Sequence, residues 1–158
     1  MSPEVQGNYE KVLKQLQLLK TDEEAEQGVR VEHAHLFLLP EGVKPFESVY
    51  RSHEKMLQQK PWQEVKGFYE KHGFQLAEDE IHPEDHVSVE LSFMAALIET
   101  EDQKETERSF FESHLIQWLP ELMQDLIQNP YASFYREAAV CAQQFMEEEQ
   151  RRLRKRNH

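Results

Sequence analysis

Pro83, Asp85 and His86 are the residues whose types and spacing best suit a chemical role, and they lie where an acidic loop meets an apolar helical stretch. An aspartate at such a point can accept hydrogen bonds from the first N–H groups of a helix, and its charge complements the helix dipole. Two interpretations follow. Either Asp85 is only an N-cap with His86 filling space, or part of the Asp85 charge and the His86 ring are available to a ligand.

A second candidate stretch, Pro45–Tyr50, places two aromatic rings beside a loop that holds two prolines and a glycine. Taken alone, this stretch is typical of a helix start that packs on a core. Ser48 is the side chain that we expect to cap that short helix, because serine is a preferred N-cap residue.

Enzymatic and metal chemistry has little support in the sequence. A di-iron bundle needs Glu-x-x-His pairs on facing helices, and the nearest match, Asp79-x-x-His82, lies in a loop before Pro83. There is no Gly-x-Ser-x-Gly elbow and no glycine-rich phosphate loop. Cys141 lies in an alanine-rich helical face, where we expect a small buried hydrophobe and not a nucleophile. The sequence thus predicts no catalytic and no metal-binding residues, and a metal-dependent hydrolase or oxidase is the less favoured alternative.

The elements that must position these residues are helical. Asp22 is predicted to cap the second helix, and Pro61 and Gly73 to begin and end a later one. Residues 29–39 are ambiguous between strand and helix, and we expect a helix because no other segment offers a partner strand. In the first segment, apolar residues recur at spacings of three and four, at Val5, Tyr9, Val12, Leu13, Leu16 and Leu19.

The strongest helical stretch begins near Asp85 and is apolar around most of its girth, which is typical of a central helix in a bundle. Further on, Pro120 is expected to kink or restart a helix. The sequence predicts an all-α, single-domain bundle of about seven helices over residues 1–150, followed by a basic C-terminal tail at residues 151–158.

Charge and composition narrow the functional classes. The chain has 158 residues and a net charge of −12. Residues 1–150 hold all 30 acidic residues but only 13 of the 18 basic residues, so they carry a net charge of −17. Such a surface repels phosphate, which argues against nucleic-acid binding, and it attracts a cationic partner. No apolar run is long enough to span or stably insert into a membrane, and the single cysteine fits a reducing cytoplasm.

Taken together and in order, the motifs resemble the TorD/DmsD/NarJ family of redox-enzyme maturation chaperones. The resemblance covers about residues 30–146, and the set is more specific than any one motif. The matching segments are His35-Leu36-Phe37, the Pro45–Tyr50 stretch, Pro83-Glu84-Asp85-His86, Glu90-Leu91-Ser92-Phe93-Met94, Phe111-x-x-His114-Leu115-x-x-Trp118 and Phe134-Tyr135. The N-terminal part ahead of His35 is shorter than is usual in the family.

The resemblance implies an all-α cytoplasmic chaperone without catalytic activity or a cofactor of its own. Such proteins bind the twin-arginine leader peptide of a molybdopterin oxidoreductase catalytic subunit and hold it back from export until the cofactor is inserted. Both a monomer and a helix-swapped dimer fit the resemblance, and a helical module for another basic or amphipathic partner is the alternative. By resemblance, the peptide-binding residues are Phe46, Ser48, Tyr50, Pro83, Asp85 and His86.

The residues themselves are consistent with this function. An acidic surface near Glu78–Asp85 is suited to the arginines of a leader, because carboxylates pair strongly with guanidinium groups. Phe46, Tyr50 and Trp62 are suited to its apolar run in a groove between helices.

Overall fold

Helices form the regular secondary structure of residues 2–155, which are the residues that the computed structural model describes. Within them, the one pairing of extended backbone is an isolated bridge between Phe46 and His86. The all-α prediction is confirmed. The chain groups into a terminal unit of residues 2–43 and 120–155 and a central unit of residues 44–119. The expectation of a single domain over residues 1–150 stays a prediction.

The helix starts of the terminal unit are set by polar caps. Asp22 Oδ1 accepts a hydrogen bond from the Ala25 N–H at 3.0 Å, which confirms the predicted cap. The ambiguous residues 29–39 are helical up to Leu38, as expected. The helices of this unit are α1 (Pro3–Leu19), α2 (Glu23–His33) with its π-helical extension (Ala34–Leu38), most of α7 (Ile116–Gln128) and α8 (Phe134–Lys155).

Within the terminal unit, α1 packs along α8 and α2 contacts the start of α8. Lys11 forms a salt bridge with Glu137 at 2.5 Å, which ties α1 to α8 at their polar margin. The carboxylate of Glu32 accepts hydrogen bonds from three successive backbone N–H groups at 2.8 to 3.1 Å. These N–H groups begin α8, so a residue of α2 supplies the cap of α8. They belong to Ser133, Phe134 and Tyr135.

The central unit is built around an aromatic core. Phe93 lies 4.6 Å from the Tyr69 ring and 4.7 Å from the Phe110 ring, and Trp118 and Leu97 are fully buried. The helices that carry this core are α3 (Glu47–Arg51), α4 (Lys60–Lys71), α5 (Val87–Glu99), a 3-10 turn (Glu101–Gln103), α6 (Lys104–Phe110), a π-helical turn (Phe111–Leu115) and the first turn of α7.

Several predicted helix boundaries hold and one does not. Pro61 lies in the first turn of α4, and Gly73 follows its end with a φ of +76°, a left-handed conformation that glycine adopts at no steric cost. The helix does not restart at Pro120, because α7 includes this residue, and the alternative of a kink there stays a prediction. A π-helical turn joins α6 to α7, and within residues 2–155 the eight α-helices make seven continuous helical stretches.

The charged end of the chain continues α8. Arg151 to Lys155 are helical, and Arg152 pairs with the buried Glu149. The last three residues of the predicted basic tail lie outside the described residues. In residues 2–155, no helix combines the length and apolar character needed to cross a bilayer.

Candidate functional site

Two helix starts of the central unit meet at the Phe46–His86 bridge. The Glu47 N–H donates to the Asp85 carbonyl at 2.9 Å, and the Val87 N–H donates to the Pro45 carbonyl at 3.0 Å. This pair of hydrogen bonds holds the beginning of α3 against the beginning of α5. The two stretches that the sequence singled out therefore form one structural feature, which we call the junction (residues 45–50 and 83–87).

Asp85 caps α3 and not the helix that follows it in sequence. Its Oδ2 accepts a hydrogen bond from the Ser48 N–H at 3.0 Å. The N-cap of α5 is His86, whose Nδ1 lies 3.2 Å from the Ser88 N–H. The predicted N-cap role of Ser48 is therefore wrong, and so is the interpretation of Asp85 as the N-cap of α5. The N-cap position of α3 is Phe46, which has no polar side chain, and Asp85 supplies the missing acceptor from across the junction.

The side chain of Asp85 is buried, with 1% of its surface exposed. Burial raises the pKa of this carboxyl, and the hydrogen bond from the Ser48 backbone N–H opposes that rise. Within the described residues, Asp85 Oδ1 and the Ser48 hydroxyl have no hydrogen-bond partner. The expectation that Asp85 belongs to an acidic surface is corrected, because its carboxylate points into the protein and holds the junction together.

The surface of the junction is aromatic. The His86 ring packs edge-on against Phe46 with centroids 5.0 Å apart, and it stacks on His82 at 3.9 Å. All three rings are partly exposed. Their exposed edges and faces form a surface suited to apolar or cationic side chains.

The two remaining predicted site residues, Pro83 and Tyr50, flank this aromatic surface. The Pro83 carbonyl accepts a hydrogen bond from the His86 N–H at 3.1 Å, which closes the turn before α5. Tyr50 is partly exposed and packs on Trp118 with centroids 5.7 Å apart. All six predicted residues therefore lie in the central unit. Phe46, Ser48, Pro83, Asp85 and His86 are joined directly, and Tyr50 lies one helical turn from Phe46.

Beneath the junction lies a network of buried charged residues that the sequence reasoning missed. Glu47, fully buried, contacts His114 Nδ1 through both carboxylate oxygens at 3.1 and 3.0 Å, and it also pairs with Arg51. The Trp118 indole N–H donates to Glu90 Oε2 at 3.0 Å. Burial and the nearby Glu47 carboxylate raise the pKa of Glu90 well above its usual range.

Glu84 and Tyr69 extend this arrangement toward the surface. The Trp62 indole N–H donates to Glu84 Oε2 at 2.7 Å, and Lys66 lies 3.5 Å from the same carboxylate. Partial burial opposes ionisation of Glu84, but hydrogen bonds from its own backbone, Trp62 and Lys66 lower its pKa. The Tyr69 hydroxyl donates to the Glu84 carbonyl at 3.1 Å. Trp62, expected on the apolar surface, is therefore partly occupied in positioning the loop before Asp85.

The sequence held a signal for part of this network. Glu47, Glu90, His114 and Trp118 all stand inside the motifs that carry the family resemblance. Their burial was the unpredictable part, since glutamate is almost never fully buried unless it is paired. In residues 2–155, no group of three or more His, Cys, Asp and Glu side chains has the geometry of a metal site.

The all-α fold of the described residues is the one that the family resemblance implies. The family profile described as nitrate reductase delta subunit matches residues 2–124, and the chain belongs to this family. The match confirms the resemblance to the TorD/DmsD/NarJ chaperones, a class of chaperones and not of enzymes.

Curated relatives are similar over much of the chain. The chaperone protein TorD of Photobacterium profundum is 28% identical over 147 residues, which cover 85% of this chain and 68% of the relative. The chaperone protein TorD of Vibrio atlanticus is 32% identical over 117 residues, which cover 66% of this chain and 54% of the relative. The chain thus spans between about half and two thirds of the length of these relatives.

Proposed function

We propose that this protein is a cytoplasmic chaperone for the maturation of a molybdopterin oxidoreductase, and that it binds the twin-arginine leader of the catalytic subunit at the junction. Family membership and the names of the relatives support the chaperone role. The observation that carries the assignment of the site is the Asp85–Ser48 hydrogen bond, because it unites both motif stretches into one partly aromatic surface. The residues proposed to bind or to position the leader are Phe46, Ser48, Tyr50, Pro83, Asp85 and His86.

The junction residues divide into two roles. Phe46, Tyr50 and His86 have partly exposed rings and contact the leader. Asp85 and Ser48 are buried and act as positioning residues, since they fix the start of α3 against the start of α5. Removing the Asp85 carboxylate would take away the acceptor of the Ser48 N–H, loosen the α3 start that the two backbone hydrogen bonds still hold, and shift the Phe46 ring.

The affinity for the leader and the rate at which the leader approaches depend on different features of the protein. Burying an aromatic side chain contributes on the order of 1–3 kcal/mol, whereas an exposed ion pair contributes below about 1 kcal/mol. We therefore expect the rings to set affinity. The negative charge of the chain raises the rate at which a cationic leader approaches, and this rate falls with added salt.

The direct test is a fluorescence anisotropy titration of the purified protein with labelled twin-arginine leaders from the molybdopterin oxidoreductases of the source cell. We expect one leader to bind and its twin-lysine version to bind more weakly, because lysine lacks the bidentate geometry of arginine. Failure of every such leader to bind would refute the proposed function. A pull-down that recovers a different basic partner, and no oxidoreductase, would favour the alternative of a general interaction module.

A substitution pair locates the site. Phe46→Ala is expected to weaken leader binding roughly tenfold, in line with the loss of one partly buried aromatic contact. Phe145→Ala is the matched control, because Phe145 is 36% exposed and lies on α8 in the terminal unit. Equal affinities of the two variants would remove the junction from the binding site.

A further inference from the structure

A cavity of about 250 Å³ opens in the central unit between α4, α5 and the loop that follows Gly73. Three aromatic rings line it: the Phe74 ring meets the Phe93 ring edge-on with centroids 4.7 Å apart, and the Tyr69 ring packs against Phe93 with centroids 4.6 Å apart. Val89 and Ala96 of α5 add apolar surface.

The size and lining of the cavity suit one apolar side chain. A dry cavity of about 150 Å³ lined by apolar residues holds a benzene molecule, whereas sites for drug-sized ligands run to about 300–1,000 Å³. The rim residues Gln75, Ala77, Ser92 and Ala96 are exposed, so the cavity is open to a side chain from outside.

The cavity adjoins the junction through Tyr69. The ring of Tyr69 lines the cavity, and its hydroxyl donates to the carbonyl of Glu84, the residue before Asp85. Val89, another lining residue, lies in the first turn of α5, three residues after His86. A peptide that lies across the junction therefore needs only a short extension to reach the cavity.

The rim of the cavity carries negative charge without basic partners. Glu80 lines the opening, and Glu78 and Asp79 precede it in the same exposed loop. Among residues 2–155, none of these three carboxylates lies within ion-pair distance of a lysine or arginine. An apolar recess beside three carboxylates that lack a basic partner fits an apolar side chain that follows basic residues in sequence.

We infer that this cavity receives the apolar side chain that follows the arginine pair of the leader, while Glu78, Asp79 and Glu80 face the arginines. This inference rests on the proposed function and adds a second contact point beyond the junction. The two contact points also fix the direction of the bound leader. Only one direction places its arginines at the loop and its apolar residue in the cavity.

The test fills the cavity and compares two peptides. Ala96→Leu adds a branched side chain at the rim, and Ser92→Leu is a second filling variant one turn earlier on α5. Ala95→Leu is the matched control, because Ala95 is also exposed on α5 and does not line the cavity. The peptides are the leader that the parent protein binds and the same leader with its first large apolar residue after the arginines changed to alanine. Thermal melting followed by circular dichroism confirms that each variant is folded.

For the parent and Ala95→Leu, we expect the alanine peptide to bind about ten- to a hundredfold more weakly than the leader, as for the loss of a side chain from an apolar pocket. For Ala96→Leu and Ser92→Leu, we expect this difference to shrink to within about twofold, because neither peptide can use the filled cavity.

The outcomes separate this inference from the proposed function. If the filled variants discriminate between the two peptides as strongly as the parent does, the cavity does not receive the side chain, although the junction can still bind the leader. If the parent binds neither peptide nor any other twin-arginine leader, the proposed function itself fails, and the inference fails with it.

Discussion

Both units use a carboxylate from one segment to cap a helix that begins in another, but the two caps differ in what they leave unused. In the terminal unit, Glu32 accepts three backbone hydrogen bonds at the start of α8, and both of its oxygens are occupied. In the central unit, Asp85 is buried at the start of α3, and its Oδ1 has no hydrogen-bond partner among the described residues.

Under the proposed function, a cap from a distant segment stabilises a helix start in the terminal unit and positions the binding surface in the central unit. A fully hydrogen-bonded cap such as Glu32 contributes to stability. A buried carboxylate with one unsatisfied oxygen costs desolvation free energy, and such costs persist where the arrangement has a use. At the junction, the use is to hold Phe46 beside His86.

The largest effect is expected where the central unit buries an ion pair. Glu47→Ala should destabilise the protein by about 3–5 kcal/mol, because it leaves the buried His114 without its partner and removes the buried carboxylate that pairs with Arg51. Urea denaturation measures this change.

Glu64→Ala is the matched control for that substitution. Glu64 also faces Arg51, at 3.5 Å, but its side chain is 39% exposed, so its removal should cost below about 1 kcal/mol. Similar losses of stability in both variants would show that burial does not distinguish the Glu47–Arg51 pair from the Glu64–Arg51 pair.

The next prediction compares how much each of the two caps contributes to stability. Glu32→Ala should cost about 1–3 kcal/mol, since three backbone donors lose their acceptor, and should leave leader binding unchanged. Asp85→Ala should cost less, about 0.5–2 kcal/mol, because the buried carboxylate also pays a desolvation cost.

In leader binding the order of these two variants should reverse. Asp85→Ala should weaken binding roughly tenfold, on the scale expected for an aromatic contact that it positions. An Asp85→Ala protein that binds the leader as tightly as the parent would remove Asp85 from the site.

A smaller effect is expected in the pH dependence of stability. The pKa of Glu90 is raised well above 4.5 in the folded protein, mainly by burial and by the Glu47 carboxylate. The folded state then binds more protons than the unfolded state between pH 4.5 and the raised pKa, so stability falls as pH rises through that window. The slope has an upper limit of about 1.4 kcal/mol per pH unit for one group.

Glu90→Gln removes the ionisable group and keeps an oxygen that can accept a hydrogen bond from the Trp118 N–H. The dependence of stability on pH should therefore flatten. Urea denaturation at a series of pH values between about 5 and 8 measures it. Glu99→Gln, on the exposed end of α5, makes the same chemical change outside the buried network. A Glu90→Gln profile as steep as that of the parent would show that Glu90 is not the group that titrates.

The parts of the fold that depend on neighbouring residues were predictable from the sequence. The Asp22 cap, Pro61 at the start of α4 and Gly73 at its end all follow from local backbone chemistry. The identity of the junction residues followed from the motifs.

The parts that depend on distant residues were not predictable. Asp85 caps α3 across 37 positions of sequence, and nothing local distinguishes this from a cap of α5. Glu47 and Glu90 belong to a residue type that is usually exposed, and their pairing with His114, Arg51 and Trp118 permits their burial.

Hydrogen–deuterium exchange with and without a bound twin-arginine leader tests directly whether the leader binds at the junction. We expect slower exchange on binding to be concentrated in the central unit, at residues 45–51 and 74–96, and α1 and α8 to be unchanged. Protection on α1 or α8 with none at the junction would contradict this expectation.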